Sequence, residues 1–118
     1  MKKIGLVDDS IVLRSAIRSV LESFDYTVPI EAGSSTDLFA QLEKNGVPDL
    51  LLLDVFFPTE NGLDILSRLR KQYPDIKVLM VTGMRQDTIA EEAKRLGATN
   101  ILYKPFDTEE LLAAIKQA

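Results

Sequence analysis

Residues 49–62 read Asp49-Leu50-Leu51-Leu52-Leu53-Asp54-Val55-Phe56-Phe57-Pro58-Thr59-Glu60-Asn61-Gly62. Four consecutive leucines between Pro48 and Pro58 predict a strand buried on both faces, as at the centre of a parallel sheet. Asp54 stands where that strand runs out. Ligands of open α/β sheets collect beyond the carboxyl ends of the strands, so a lone carboxylate there is placed for chemistry. The plain alternative is that Asp54 merely opens a surface loop, and the rest of the chain has to decide between the two.

The chain has 118 residues, enough for one domain that buries roughly two thirds of its unfolded surface. With 46% hydrophobic and 27% charged residues the composition is that of an ordinary globular protein, not of a disordered or membrane-spanning one. No apolar run approaches the roughly 18 residues of a spanning helix. The two N-terminal lysines lead at once into a strand-like segment rather than a signal-peptide core. A cytoplasmic protein with no membrane contact is therefore expected. There is no Cys and no His, which excludes disulfides, thiolate and imidazole metal sites, cysteine nucleophiles and histidine bases. Any chemistry falls to carboxylates, hydroxyls and lysines. A net charge of -4 argues against direct nucleic-acid binding, which needs a clustered basic face.

Outward from the leucine run, the chain alternates. Lys3 to Val7 predicts a strand ending at Asp8-Asp9-Ser10, where Asp9 or Ser10 caps a helix. Leu13, Ala16, Ile17, Val20, Leu21 and Phe24 then form one apolar stripe. Thr27 to Ala32 predicts a second strand, placed at an edge by Pro29. Ser34 and Asp37 resemble a capping box for the next helix, which Gly46 closes. After Leu50 to Leu53 and the loop through Gly62, a helix with Leu63, Leu66 and Leu69 inward ends before Pro74. Ile76 to Val81 predicts a fourth strand ending at Thr82-Gly83, and Ile89, Ala93 and Leu96 share one face of a helix closed by Gly97. Asn100 to Tyr103 predicts a fifth strand, ending at Lys104-Pro105. Asp107 and Glu110 cap a last helix with Leu111, Leu112 and Ile115 inward. Five strands alternating with five helices imply a parallel sheet, helices on both faces and right-handed crossovers.

Parallel strands place all their carboxyl ends on one rim. Asp8 and Asp9 follow the first strand, Asp54 the third, Thr82 the fourth and Lys104 the fifth. If those strands are neighbours, three carboxylates, a hydroxyl and an ammonium converge. Two like charges about 4 Å apart repel by roughly 4 kcal/mol at an effective dielectric of about 20, so three aspartates call for a cation. Carboxylate oxygens suit Mg²⁺, which is typically completed by substrate phosphate oxygens, and an Asp beside such a cation is a recognised nucleophile toward phosphorus. Read singly, Asp8-Asp9 is only a capped turn, and Thr82 and Lys104 are ordinary strand-end residues.

Taken together, these residues make the chain resemble, over its whole length (1–118), the receiver domain of the two-component response-regulator family. The resemblance implies a flavodoxin-like, doubly wound sheet of order 2-1-3-4-5 in a three-layer α/β/α sandwich. It implies that Asp8 and Asp9 bind Mg²⁺, that Asp54 is the phosphoacceptor and that Phe56 lends its backbone carbonyl to the metal. Thr82, followed by the small Gly83, would bond the phosphoryl oxygen, and Lys104 would pair with that group before a cis Lys104–Pro105 bond. The expected donor is a histidine kinase or histidine phosphotransfer protein. The expected output is a changed face of the fourth helix, fifth strand and fifth helix, read by a downstream protein or effector domain. Whether phosphorylation drives a dimer is left open. The domain would catalyse its own phosphorylation and dephosphorylation without being an enzyme toward another substrate.

The chain departs from the family pattern in two places. The Tyr or Phe often found three residues before the lysine is Ile101, whereas Tyr103 directly precedes Lys104. Phe56 and Met84 are apolar where fast-decaying members carry polar residues, which suggests a long-lived acyl phosphate. Rival readings are weaker. A Mg²⁺-dependent aspartate-nucleophile phosphatase would need Asp-x-Asp, and the second residue after Asp54 is Phe56. A flavodoxin-like cofactor binder would need a hydroxyl-rich phosphate loop where Asp8-Asp9 stands. A docking-only degenerate receiver would not keep the full set. The isolated receiver of a longer regulator with a DNA-binding or enzymatic effector remains the runner-up.

Overall fold

The computed structural model describes residues 2–118. Five strands, β1 (Lys3–Val7), β2 (Thr27–Ala32), β3 (Leu50–Asp54), β4 (Lys77–Thr82) and β5 (Asn100–Tyr103), alternate with α1 (Ile11–Ser23), α2 (Ser35–Asn45), α3 (Gly62–Gln72), α4 (Asp87–Arg95) and α5 (Thr108–Gln117). The strands form one sheet in the order β2-β1-β3-β4-β5, every pair parallel. This is the expected flavodoxin-like three-layer arrangement.

The leucine run explains the layering. Side chains alternate across a strand, so Leu51 and Leu53 enter the core beneath α2, α3 and α4, with Leu38, Phe39, Leu42, Leu66 and Leu69. Leu50 and Leu52 enter the opposite core with Ile17 and Leu21 of α1 and Leu111 and Ile115 of α5. Both faces of β3 are covered, and every residue of the strand is buried. Pro29 lies on the edge strand, as expected; the β1–β2 register slips between Lys3 and Gly5, opposite the stretch that holds the proline.

Several local expectations are refined. Ser10, not Asp9, caps α1, its hydroxyl accepting the Leu13 N–H at 3.1 Å. The α1 stripe is narrower than its spacing suggests: Ala16 is exposed, and Phe24 is 53% exposed at the C-cap. The α2 capping box is half made. Ser34 Oγ accepts the Asp37 N–H, but the Asp37 carboxylate accepts from Gln41 instead. At α5 the reciprocal box of Asp107 and Glu110 is complete. β3 runs one residue further than expected, through Asp54, and β4 begins at Lys77 and runs through Thr82.

Candidate functional site

β3 delivers Asp54 to the sheet rim between β1 and β4, pairing it with Val81 while Val7 pairs with Leu53. Asp8 follows β1 directly. Its backbone N–H is held by the Ala32 carbonyl at 3.0 Å, and its Oδ1 accepts the Ser10 N–H at 2.8 Å. That bond ties the acidic turn to the start of α1. Asp8 and Asp54 are each 6% exposed, whereas Asp9 faces solvent. One carboxylate oxygen from each of the three lies within 4.8 Å of the others. Hard oxygen donors at this spacing form a group able to hold a metal ion.

Lys104 arrives from the far side. β5 pairs with β4 so that Thr82 lies opposite Tyr103, and the Lys104 N–H donates to the Thr82 carbonyl at 2.8 Å. The side chain then reaches back over the rim. Its Nζ sits 3.0 Å from Asp8 Oδ2 and 3.2 Å from Asp54 Oδ2. The following Lys104–Pro105 peptide is cis, as the resemblance implied. Burial pushes the Asp54 carboxyl up from its ordinary 3.8 and the Asp8 charge adds to the rise, while Lys104 pulls it down; the balance stays upward. For Lys104, burial works against the charged form, but the Asp8 hydrogen bond and the charges of Asp54 and Asp8 outweigh it and hold the ammonium above 10.5.

Thr82 is fully buried, and its Oγ1 accepts the Met84 N–H at 3.1 Å. The hydroxyl is therefore engaged with its own β4–α4 loop. Phe56 and Met84, 43% and 44% exposed, flank the rim on the loops after β3 and β4.

The β3–α3 loop is shaped by close approach. A bridge between Phe56 and Asn61 is closed by Phe57 N–H on the Glu60 carbonyl at 3.2 Å and Gly62 N–H on the Val55 carbonyl at 2.6 Å. Neither bond uses the Phe56 carbonyl, which stays available as an oxygen donor. Gly62 starts α3 directly behind Asp54, and a Cβ there would lie 1.9 Å from the Asp54 carbonyl oxygen and 2.8 Å from Val55 Cα. Only glycine fits, for steric rather than dihedral reasons. Glu60 reaches across to α2 and accepts the Ser35 N–H at 2.9 Å.

All six residues singled out from sequence, Asp8, Asp9, Asp54, Phe56, Thr82 and Lys104, thus border one rim. Three supporting residues were not anticipated. Arg14 donates through Nη1 to the Asp8 carbonyl and through Nε to Glu31 at 3.3 Å. Glu60 caps α2, and Arg85 stacks its guanidinium on the Tyr103 ring with Cζ 4.1 Å from the centroid. Each contact joins separate elements, and no local pattern marks it.

Comparison with known proteins agrees with this geometry. Residues 4–116 match the family model described as the response regulator receiver domain. The chain is 36% identical over 117 residues to Protein CcdB of Bacillus subtilis, covering 99% of this chain and 97% of that one. It is 34% identical over 113 residues to the DNA-binding transcriptional regulator NtrC of Rhizobium meliloti, covering 96% of this chain but 23% of that protein. The solved structure of the Vibrio cholerae chemotaxis protein CheY4 superposes with a TM-score of 0.91 at 31% identity, covering 99% and 98% of the two chains. A rim that gathers acidic, hydroxyl and ammonium groups at the ends of β1, β3, β4 and β5, and a family match across nearly the whole chain, lead to one conclusion: the chain belongs to the response regulator receiver domain family of two-component signalling systems.

Proposed function

We propose that residues 1–118 form one receiver domain that accepts a phosphoryl group on Asp54 from the phosphohistidine of a histidine kinase or histidine phosphotransfer protein. The observation that carries this reading is the placement of Lys104 Nζ between Asp8 and Asp54, beside a third carboxylate. The chemistry of the donor set fits Mg²⁺ held by Asp8, Asp9, Asp54 and the Phe56 carbonyl; bound there, it would neutralise the carboxylates and the charge on the transferring phosphoryl group.

Asp54 acts as the nucleophile. One of its oxygens forms a bond to phosphorus as the P–N bond breaks, and the imidazole leaves with that electron pair. Lys104 holds a phosphoryl oxygen by its charge, and Thr82 turns its hydroxyl onto another. Burial works against the ionised Asp54 that attack requires, so Lys104 also keeps the nucleophile charged. Hydrolysis by water at the same phosphorus returns the free carboxylate, and Phe56 and Met84 narrow its approach. The new Thr82 contact then biases the β4–α4 loop and the α4–β5–α5 face toward a partner-binding arrangement. A cytoplasmic setting matches a kinase donor, and no helix among the described residues is long and apolar enough to cross a membrane. The chain matches nearly the whole of CcdB and 23% of NtrC, so a receiver alone and a receiver within a longer regulator both fit it.

Intact-protein mass after incubation with acetyl phosphate tests the reading. A Mg²⁺-dependent gain of one phosphoryl group, absent in Asp54→Ala, is expected. No gain from acetyl phosphate or from a phosphorylated histidine kinase would overturn it.

A further inference from the structure

The contact between Arg85 and Tyr103 lies outside the phosphoryl site, yet both residues are attached to it. Tyr103 is the cross-strand partner of Thr82, and Arg85 follows Thr82 by three residues on the β4–α4 loop. The guanidinium lies over the ring at stacking distance. On the same side of β5, Tyr103 and Ile101 line a groove of about 400 Å³ against Ala90 and Lys94 of α4. Ile101 carries no ring and offers no face to a cation, so on this side of β5 it is Tyr103 that holds the Arg85 guanidinium.

The start of α4 is weakly held. At α1, α2, α3 and α5 the N-cap side chains of Ser10, Ser34, Asn61 and Asp107 each accept a backbone N–H of the first turn, whereas the Gln86 side chain at α4 makes no such bond. Between Thr82 and α4, the loop is tied by the Met84 N–H on Thr82 Oγ1 at 3.1 Å and by the Arg85 stack. We propose that Arg85 and Tyr103 form a latch that holds Thr82 in its unphosphorylated position and opens when Asp54 is phosphorylated. The inference rests on the phosphoacceptor reading above. Thr82 Oγ1 turned onto a phosphoryl oxygen draws Met84 with it, and Arg85, the next residue, leaves the ring. Phosphorylation and the stack thus compete for one loop, and weakening either shifts the population toward the other's arrangement. Arg85 and Tyr103 are positioning residues, since neither touches the reacting atoms.

The test uses the full chain labelled with 3-fluorotyrosine, whose three signals arise from Tyr26, Tyr73 and Tyr103. Tyr103→Phe assigns the third signal by its loss. Mass spectrometry of the same samples reports phosphorylation separately. On phosphorylation of Asp54 the Tyr103 signal is expected to shift while the other two hold still. Arg85→Ala is expected to move that signal toward the phosphorylated position before any phosphoryl donor is added. It should also raise the rate with acetyl phosphate about two- to five-fold, the factor for losing an exposed cation–π contact. Tyr103→Leu is expected to raise the rate likewise, and Tyr103→Phe, which keeps the ring, to restore the native rate. A Tyr103 signal unmoved in chains that mass shows to be phosphorylated overturns the latch. So does an Arg85→Ala rate at or below native, or a Tyr103→Phe rate equal to that of Tyr103→Leu. Absence of phosphorylation in the native chain overturns instead the phosphoacceptor reading, and the latch with it.

Discussion

Replacing Lys104 by Met, a side chain of similar length without charge, leaves Asp8 and Asp54 facing each other without a counter-ion. The ammonium lies 3.0 Å and 3.2 Å from the two carboxylates. At an effective dielectric of about 20, each attraction is roughly 5 kcal/mol. The carboxylate oxygens approach within 4.8 Å, a repulsion of at least about 3.5 kcal/mol on the same scale. Desolvation offsets much of the attraction in the native pair, so the net loss is smaller than the Coulomb figures. Breaking a fully buried pair costs about 3–5 kcal/mol. The Lys104 side chain keeps 27% exposure, and a loss of about 2–3 kcal/mol near neutral pH follows from scaling that range for a partly open site. The loss depends on pH in a definite direction. Asp54 already has its folded pKa raised above 3.8, and removing the opposing lysine raises it further. A carboxyl of this kind contributes stability that is fully present below its unfolded pKa and lost as pH rises through the folded one. Urea unfolding followed by circular dichroism, without divalent cations, at about pH 4.5 and about pH 7.5 should show Lys104→Met within about 1 kcal/mol of native at the acid end and the larger deficit at the neutral end. An equal deficit at both pH values, or a variant more stable than native at neutral pH, would refute the reasoning.

Mg²⁺ at about a hundredfold excess over its Kd should stabilise the native chain by about 2.7 kcal/mol in the same assay; Asp9→Asn should respond far less, and an equal response would remove Asp9 from the cation site. Phe56→Asn with Met84→Glu should shorten the acyl-phosphate lifetime by about tenfold, less than the roughly 10²–10⁴-fold of full general acid–base catalysis because only the water's approach is changed. Loss of the phosphoryl group followed by mass would show this, and an unchanged or longer lifetime would acquit the two apolar side chains. Gly62→Ala should cost about 3 kcal/mol or more, because its Cβ meets backbone that cannot swing aside. A loss below about 1 kcal/mol in urea unfolding would mean that α3 slides freely away from Asp54.

The order of elements and the rim were legible because β1, β3, β4 and β5 each announced themselves by a short apolar run leading into a polar residue at the rim. The leucines of β3 are unambiguous, since a strand covered on both faces needs no alternation. Parallel pairing then sends Asp8, Asp54, Thr82 and Lys104 to the same edge without further information. What was not legible depends on distance through space. Phe24 continues the helical stripe of α1 but sits at its C-cap, where the backbone has left the helix, and remains exposed. Asp37 has the spacing of a capping box, yet Gln41, one turn on, takes its carboxylate. Gly62 resembles a loop glycine in the sequence; only the packing of α3 against β3 reveals that a methyl group has no room there. Arg14, Glu60 and Arg85 act across elements, and their partners are fixed by the fold rather than by neighbours in the chain.

Glu60 on Ser35, Gly62 on Val55 and Phe57 on Glu60 have a mechanical meaning beyond shaping a loop. They anchor the Asp54 side of the rim to α2 and to the loop behind β3, so that side forms a fixed jaw. The jaw across from it hangs on Thr82. On the proposed phosphoacceptor reading, a group added at Asp54 would have one direction in which to do work, away from α3 and toward α4, and the domain would act as a lever on whatever is fastened to the α4 side.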